Sequence, residues 1–365
     1  MNAALNLVHQ LLLEKGIAFV RYSLPDSKIS ETLICYHPAS FQNLNALAEK
    51  EAEGFVFAPF APGEKSPLWF YHADITLDEY AANQNVIDYL SGLPDSKIRS
   101  PFNPKSTTKS EYRTAFSTYL NALKSRKLDK AILSKIRVKQ KTTESPLAIY
   151  TKLVEAYPTA FVYMINLPSG DLWMGATPER LIQQEKEGIQ TMALAGTQQL
   201  NQRKVNDIVW EKKEIEEQAY VKNYVLNQLN SVSDAVQVSA NYTVAAGNLV
   251  HLRTDFVVNQ YFNRAEIYNL VNLLHPTPAV CGIPLEEAKA LILQTEKHDR
   301  EYYTGYLGPI NKNSLALFVN LRCMKMEQEN FALYVGGGIT RDSELDKEWD
   351  ETEAKAQTLL SVLAL

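Results

Sequence analysis

The chain has 365 residues, 45% hydrophobic and 22% charged, with a formal net charge of −5, which describes an ordinary globular protein with material for an extensive core. The negative balance argues against a nucleic-acid binder held by phosphate contacts, though a small anionic substrate needs only local cations. Three scattered cysteines (Cys35, Cys281, Cys323) without a CxxC pair indicate neither a disulfide framework nor a thiolate metal site, and the lack of a signal-like opening or an 18-residue apolar run predicts a cytoplasmic, non-membrane protein.

Residues 2–14 repeat apolar positions at helical spacing, with Gly16 as the stop, and 18–22, 32–36 and 54–58 read as short strands. The Pro-, Ser- and Lys-rich stretch 91–109 is expected to be a loop closing a variable N-terminal part, 1–109, of a single α+β domain. The remainder, 110–365, carries the informative sequence. A helix is expected over 110–123, then an alternating strand, 130–138, on which Lys130 begins a mostly apolar face. A helix at 146–156 leads into antiparallel strands at 160–166, 172–176, 180–184 and 188–193, interrupted by Thr177-Pro178-Glu179 and ended by Gly196-Thr197.

The next helix is predicted over 206–229, with Glu217 on a face shared with Trp210, Tyr220, Val221 and Tyr224. Strands at 236–238 and 249–258, a helix at 265–274 and an extended His275-Pro276-Thr277-Pro278 turn follow. After a helix at 284–296 come strands at 302–309, 314–324 and 330–336. A closing helix spans 342–363, with Ser343 as N-cap. Strand groups interleaved with helices in this way make an α+β fold of antiparallel sheets.

Two of these helices carry a Glu-x-x-Glu pair, Glu214 with Glu217 and Glu348 with Glu351, and Lys355 shares the face of the second. Such spacing suits two solvated acidic faces. It is also compatible with an all-oxygen site for Mg²⁺, since buried carboxylates need a cation. Lys130 reads as a base if desolvated, or as a lysine snorkelling to water. Glu179 reads as a proton donor held at a cleft, or as a surface turn residue. His251 and His275 are compatible with substrate hydrogen bonds or with structural roles. Arg322, placed by pattern in a central strand among Leu317, Phe318, Val319 and Leu321, calls for a carboxylate partner from protein or ligand. Gly336-Gly337-Gly338 lacks a Walker lysine and fits close backbone approach better than phosphate binding.

Six ordered motifs then coincide with one family: Asp129-Lys130-Ala131-Ile132-Leu133-Ser134, Gly175-Ala176-Thr177-Pro178-Glu179, Leu194-Ala195-Gly196-Thr197, His275-Pro276-Thr277-Pro278-Ala279, Gly336-Gly337-Gly338-Ile339 and Glu348-Trp349-Asp350-Glu351-Thr352. From about residue 110 onward the sequence resembles the chorismate-utilising enzymes, and within them the isochorismate-forming type. The resemblance implies an anthranilate synthase component I-like fold with a central cleft. It implies Lys130 activating water, Glu179 protonating the leaving hydroxyl, and Mg²⁺ on Glu217 and Glu351 directly and on Glu214 and Glu348 through water. It implies substrate contacts from Gly196, Thr197, His251, Ala279, Tyr303, Leu321, Arg322, Gly336 and Lys355. Ala195 stands where ammonia-using aminodeoxychorismate synthases carry lysine, and Ala279 rather than threonine resembles the isochorismate-producing type over salicylate synthase. No protein partner is implied, and menaquinone synthesis is preferred to siderophore synthesis as the pathway served. Two departures from the family pattern are Gln218, where many members have histidine, and the absence of an arginine directly after Gly196-Thr197, with Arg203 the nearest.

Overall fold

The structure, a computed structural model, describes residues 3–50, 52–78, 84–95, 104–327 and 329–363. Its first third contains α1 (Ala3–Glu14), β1 (Ala18–Ser23), β2 (Glu31–Cys35), β3 (Ala39–Phe41), β4 (Gly54–Ala58), β5 (Leu68–Tyr71), β6 (Ile75–Leu77), α2 (Gln84–Ser91) and α3 (Lys109–Lys124). Then come β7 (Lys130–Gln140), α4 (Pro146–Ala156), β8 (Phe161–Asn166), β9 (Leu172–Thr177), β10 (Arg180–Glu185), β11 (Gly188–Gln199), α5 (Lys212–Asn230), β12 (Val236–Val238), β13 (Tyr242–Ala246) and β14 (Leu249–Val258). The chain closes with α6 (Arg264–Leu274), β15 (Gly282–Ile283), α7 (Leu285–Thr295), β16 (Tyr306–Ile310), β17 (Leu315–Val319), β18 (Cys323–Met326), β19 (Asn330–Ile339) and α8 (Leu345–Leu363).

The strands form two sheets. The first has the order β15-β7-β19-β18-β9-β8-β1-β2-β6, and the second β12-β14-β11-β10-β17-β16-β4-β5-β3 with β13 beside β14. Period-two alternation explains how they stack. On β8, Val162 and Met164 face an outer layer built from α1, α4 and α8, while Phe161, Tyr163 and Ile165 face inward. The layer between the sheets is aromatic: Phe161 stacks on Phe318 across it at 4.3 Å, and Phe57 on Tyr302 at 4.1 Å. A third core covers the outer face of the second sheet with α5 and α6.

The α+β class and antiparallel sheets agree with the sequence reading, but five local expectations are corrected. The strand expected over 314–324 is two strands in different sheets, β17 and β18, so Arg322 lies in the link between them, at φ +49°. The strand expected at 302–309 begins only at Tyr306, leaving Tyr302 and Tyr303 in a turn. Gly196 does not end its strand: at φ +74° it forms a bulge through which β11 continues pairing with β14 as far as Gln199. The helix begins at Lys212 rather than 206, with the Glu211 and Glu214 side chains closing a capping box, so Trp210 lies outside it and donates its indole N–H to Thr243. Ser343 does not cap α8 directly; its hydroxyl accepts the Thr340 N–H at 3.0 Å. Part of the expected loop 91–109 lies outside the described residues.

Candidate active site

Two short runs carry the chain between the sheets at neighbouring points: Pro178-Glu179 from β9 to β10, and Asn320-Leu321-Arg322 from β17 to β18. They are zipped together. The Thr177 hydroxyl donates to Val319 O (2.6 Å), Val319 N–H to Glu179 O (2.9 Å), and Ala176 N–H to Arg322 O (3.2 Å). Beside them opens a cavity of about 710 Å³, including its mouth, with walls from both sheets, α5 and α8.

Glu179 is 3% exposed in this wall, and burial pushes its carboxyl up to about 8 against the pull of Lys130, Lys355 and Arg322. It is therefore a neutral acid at neutral pH, able to donate a proton. Lys130, which is not part of the lining, is fully buried behind it, its Nζ 2.9 Å from Glu217 Oε1 without a well-aligned hydrogen bond. Burial alone would raise the Glu217 carboxyl, but Lys130, with Lys213 and Lys355, holds it below the usual range.

The glycine triplet explains how these groups come so close. A Cβ on Gly338 would lie 2.4 Å from Glu217 Oε1 and 3.0 Å from Lys130 Cε, and one on Gly336 would lie 2.8 Å from Tyr303 Oη. Beside Gly337 the carboxylates of Glu348 and Glu351 converge, at 3.6 and 3.7 Å from its Cβ position. Each is met by an ammonium. Lys213 pairs with Glu348, and Lys355 with Glu351 at 2.8 Å while also donating to Gly336 O at 3.0 Å.

Arg322 and His251 form the other end. Arg322 donates to Ala246 O (3.1 Å), and its Nη2 lies 2.7 Å from His251 Nε2. His251 Nδ1 lies 3.0 Å from Gly196 O, so Nδ1 carries the proton and Nε2 accepts from Arg322. Burial, with the charges of Arg322 and Lys355, keeps the imidazole neutral. Burial likewise lowers the Arg322 guanidinium to about 10, and among the described residues no carboxylate lies within ion-pair distance of it. Thr197, Ala279, Tyr303 and Leu321 also line the cavity.

Whether the residues fit a divalent cation is decided by one atom. Glu348 is 1% exposed, and its Oε2 is buried with no hydrogen-bond partner among the described residues. Burial and the nearby Glu351 raise this carboxyl, against the pull of Lys213 on its other oxygen, and a buried oxygen left over beside a second carboxylate is a donor of the kind Mg²⁺ takes. Glu214 stands at the rim on α5, capping its own helix, with its Cβ 3.1 Å from the Cβ position of Gly196. The glutamates are not drawn onto one point: among the described residues, the trio whose ligand atoms lie within 4.8 Å of one another is Cys35, His72 and Asp74 in the N-terminal part.

Most residues that the resemblance placed in the site line this cavity; Lys130, Glu214, Glu348 and Glu351 lie against that lining without being part of it, and His275 lies outside it, its ring holding Thr304 O at 3.0 Å as a structural brace. Gln218 points into the sheet, bonded to Thr254 and Asn241, and Arg203 bonds its own loop carbonyls at Gln199 and Leu200. Lys213 was not anticipated. Its partner lies 135 positions away, a separation that no local pattern encodes.

The family model described as chorismate binding enzyme matches residues 72–364. The chain belongs to that family. The match to this chorismate binding enzyme family begins inside the part expected to be variable. Isochorismate synthase EntC of Escherichia coli K12 is 26% identical over 93% of the chain and 88% of its own length. Isochorismate synthase 2 of Arabidopsis thaliana is 31% identical over 62% of the chain, which spans less than half, 42%, of that relative. Among solved structures, MenF, the menaquinone-specific isochorismate synthase from E. coli, superposes with a TM-score of 0.79 at 18% identity, covering all of this chain and 91% of the other. Anthranilate synthase component I from Streptococcus pneumoniae does so at 0.70 and 16%, covering 94% and 92%. These two show the shared fold.

Proposed function

We propose that this chain is an isochorismate synthase, converting chorismate to isochorismate. The observation that carries the reading is Glu179, a buried carboxyl kept neutral up to about pH 8, lining the same cavity as Glu217, the partner of Lys130. Chorismate carries two carboxylates, and the cavity offers a cation for each: Arg322, with Tyr303 beside it, for the enolpyruvyl carboxylate, and Lys355 for the ring carboxylate near Gly196, Thr197 and Gly336. Mg²⁺ would be held by Glu217 and Glu351, with Glu214 and Glu348 acting through water, and when bound it supplies positive charge for the ring carboxylate. His251, uncharged, lies against the ring and keeps Arg322 oriented.

Lys130 takes a proton from water as its oxygen bonds to C2. The ring double bonds shift, and the C4–O bond breaks as Glu179 gives its proton to the departing hydroxyl, which leaves as water. An acid and a base beside one cavity serve a reaction; binding alone needs neither. We further propose that it acts in the cytoplasm and supplies menaquinone synthesis, so a knockout should lose the quinone.

The deciding experiment supplies purified protein with chorismate and Mg²⁺ and separates the products by chromatography. Isochorismate free of salicylate and pyruvate supports the reading, whereas product formed only with ammonia sinks it. Lys130→Ala should abolish turnover, and persistence of activity would mean the base lies elsewhere.

A further inference from the structure

The strand that carries Lys130 is held on its outer edge in an unusual way. β15 pairs with β7 only at Lys130 and Ala131. Beyond that, the Ile132 N–H still donates to Cys281 O (2.8 Å) and Ile136 O accepts the Thr107 N–H (2.9 Å), and between these two bonds side chains take the place of a neighbouring strand. Ile132 O accepts from Arg300 Nη2 (2.8 Å), and Ser134 N–H donates to Glu296 Oε1 (2.7 Å), with Ser134 Oγ on Glu296 Oε2 (2.8 Å). Arg300 and Glu296 grip each other through two contacts, Nε to Oε2 at 2.8 Å and Nη2 to Oε1 at 2.7 Å, and their side chains are 3% and 2% exposed.

The other guanidinium nitrogen reaches further. Arg300 Nη1 donates to Val280 O (2.9 Å) and lies 3.3 Å from Thr304 Oγ1, and the Arg300 carbonyl accepts the Tyr303 N–H (2.8 Å). Ile132, Val280, Tyr303 and Thr304 all line the cavity, while Arg300 and Glu296 do not. One buried fork thus joins three separate wall segments: the strand two residues beyond Lys130, the turn holding Ala279, and the turn holding Tyr303.

We propose that the Arg300–Glu296 pair is a positioning device for the reaction: a side-chain stand-in for a β-strand that sets Lys130 in register with the Ala279 and Tyr303 turns. The proposal rests on the isochorismate synthase reading for its kinetic part alone. A bidentate guanidinium is needed because two acceptor directions and a carboxylate must be met in one plane, which an ammonium cannot do.

The test uses Arg300→Lys, which keeps the buried charge, and the double variant Glu296→Leu with Arg300→Met, which removes both charges together and so leaves neither unpaired. Each is checked for its fold by near-ultraviolet circular dichroism. In a folded variant the expected result is a kcat lower by about tenfold to a hundredfold, with KM changed by less than about threefold. Amide exchange should accelerate at 132–134, 279–281 and 303–305 while the β8–β9 amides keep their wild-type rates. Wild-type kcat together with unchanged exchange in a folded variant overturns the proposal. So does a uniform rise in exchange across the chain, which marks a purely structural pair. If the wild-type protein fails to turn over chorismate, the activity reading falls, and the exchange pattern still decides whether the fork sets these segments. If the double variant does not fold, Arg300→Lys and Glu296→Gln, which keep the shapes, decide by the same readouts.

Discussion

Glu179 has the clearest experimental signature of any side chain in the cavity. Its carboxyl is raised from 4.5 to about 8 by burial, so kcat/KM should fall as pH rises through about 8, where the acid is lost. Glu179→Gln should cost about a hundredfold or more in kcat and remove that alkaline limb, read from a pH–rate profile. The same shift acts on stability. Between 4.5 and about 8 the folded chain holds a proton that the unfolded chain has released, so stability declines with rising pH in that window, on the order of 1 kcal/mol per unit, and Glu179→Gln should flatten the decline in urea titrations. The sequence placed Glu179 at a break between strands, and the resemblance supplied its role. What it could not supply is the burial that makes the carboxyl an acid, because the enclosing residues, from Lys130 to Lys355, are brought together by the whole fold.

The triplet Gly336-Gly337-Gly338 on β19 gives a sharper comparison than any charged residue. Gly338→Ala places its methyl 2.4 Å from Glu217 Oε1, the mobile end of a side chain, so the expected outcome is a folded protein whose Lys130–Glu217 contact is displaced. Turnover should drop about tenfold or more, with the melting temperature nearly kept. Gly337→Ala meets nothing nearer than 3.6 Å and should be close to neutral in both assays. Close approach was legible in the sequence as one reading of the glycines, whereas the object approached was not. Arg322 shows the opposite failure. Its apolar neighbours Phe318, Val319 and Leu321 imitate a continuous strand, and only the change of sheet after Val319 reveals a turn with a guanidinium aimed at the cavity. Arg322→Lys loses the bonds to Ala246 O and His251, so KM for chorismate should rise about tenfold to a hundredfold in steady-state assays.

Taken together, the two sheets and their aromatic interior explain why so much of the architecture could be read from the sequence pattern: continuous apolar strands such as β8, buried throughout, announce two buried faces, and outer helices such as α1 and α4 announce one. Of the strands not recognised, β3, β5 and β6 are three or four residues long and leave little room for a pattern, while the five-residue β13 was passed over as well. Phe57 offers a test of the interior. It stacks on Tyr302 at 4.1 Å, next to Tyr303 of the cavity, and Phe57→Ala should cost about 3–5 kcal/mol in urea unfolding.

Glu179 and Arg322 stand on the two runs that pass between the sheets, so their separation depends on how far apart the sheets stand. The rings of Phe161 and Phe318, stacked at 4.3 Å, act as a shim between the sheets. A change of ring thickness deep in the interior therefore alters the aperture of the cavity while every residue lining it stays the same. A comparison confined to the cavity lining would miss such a change.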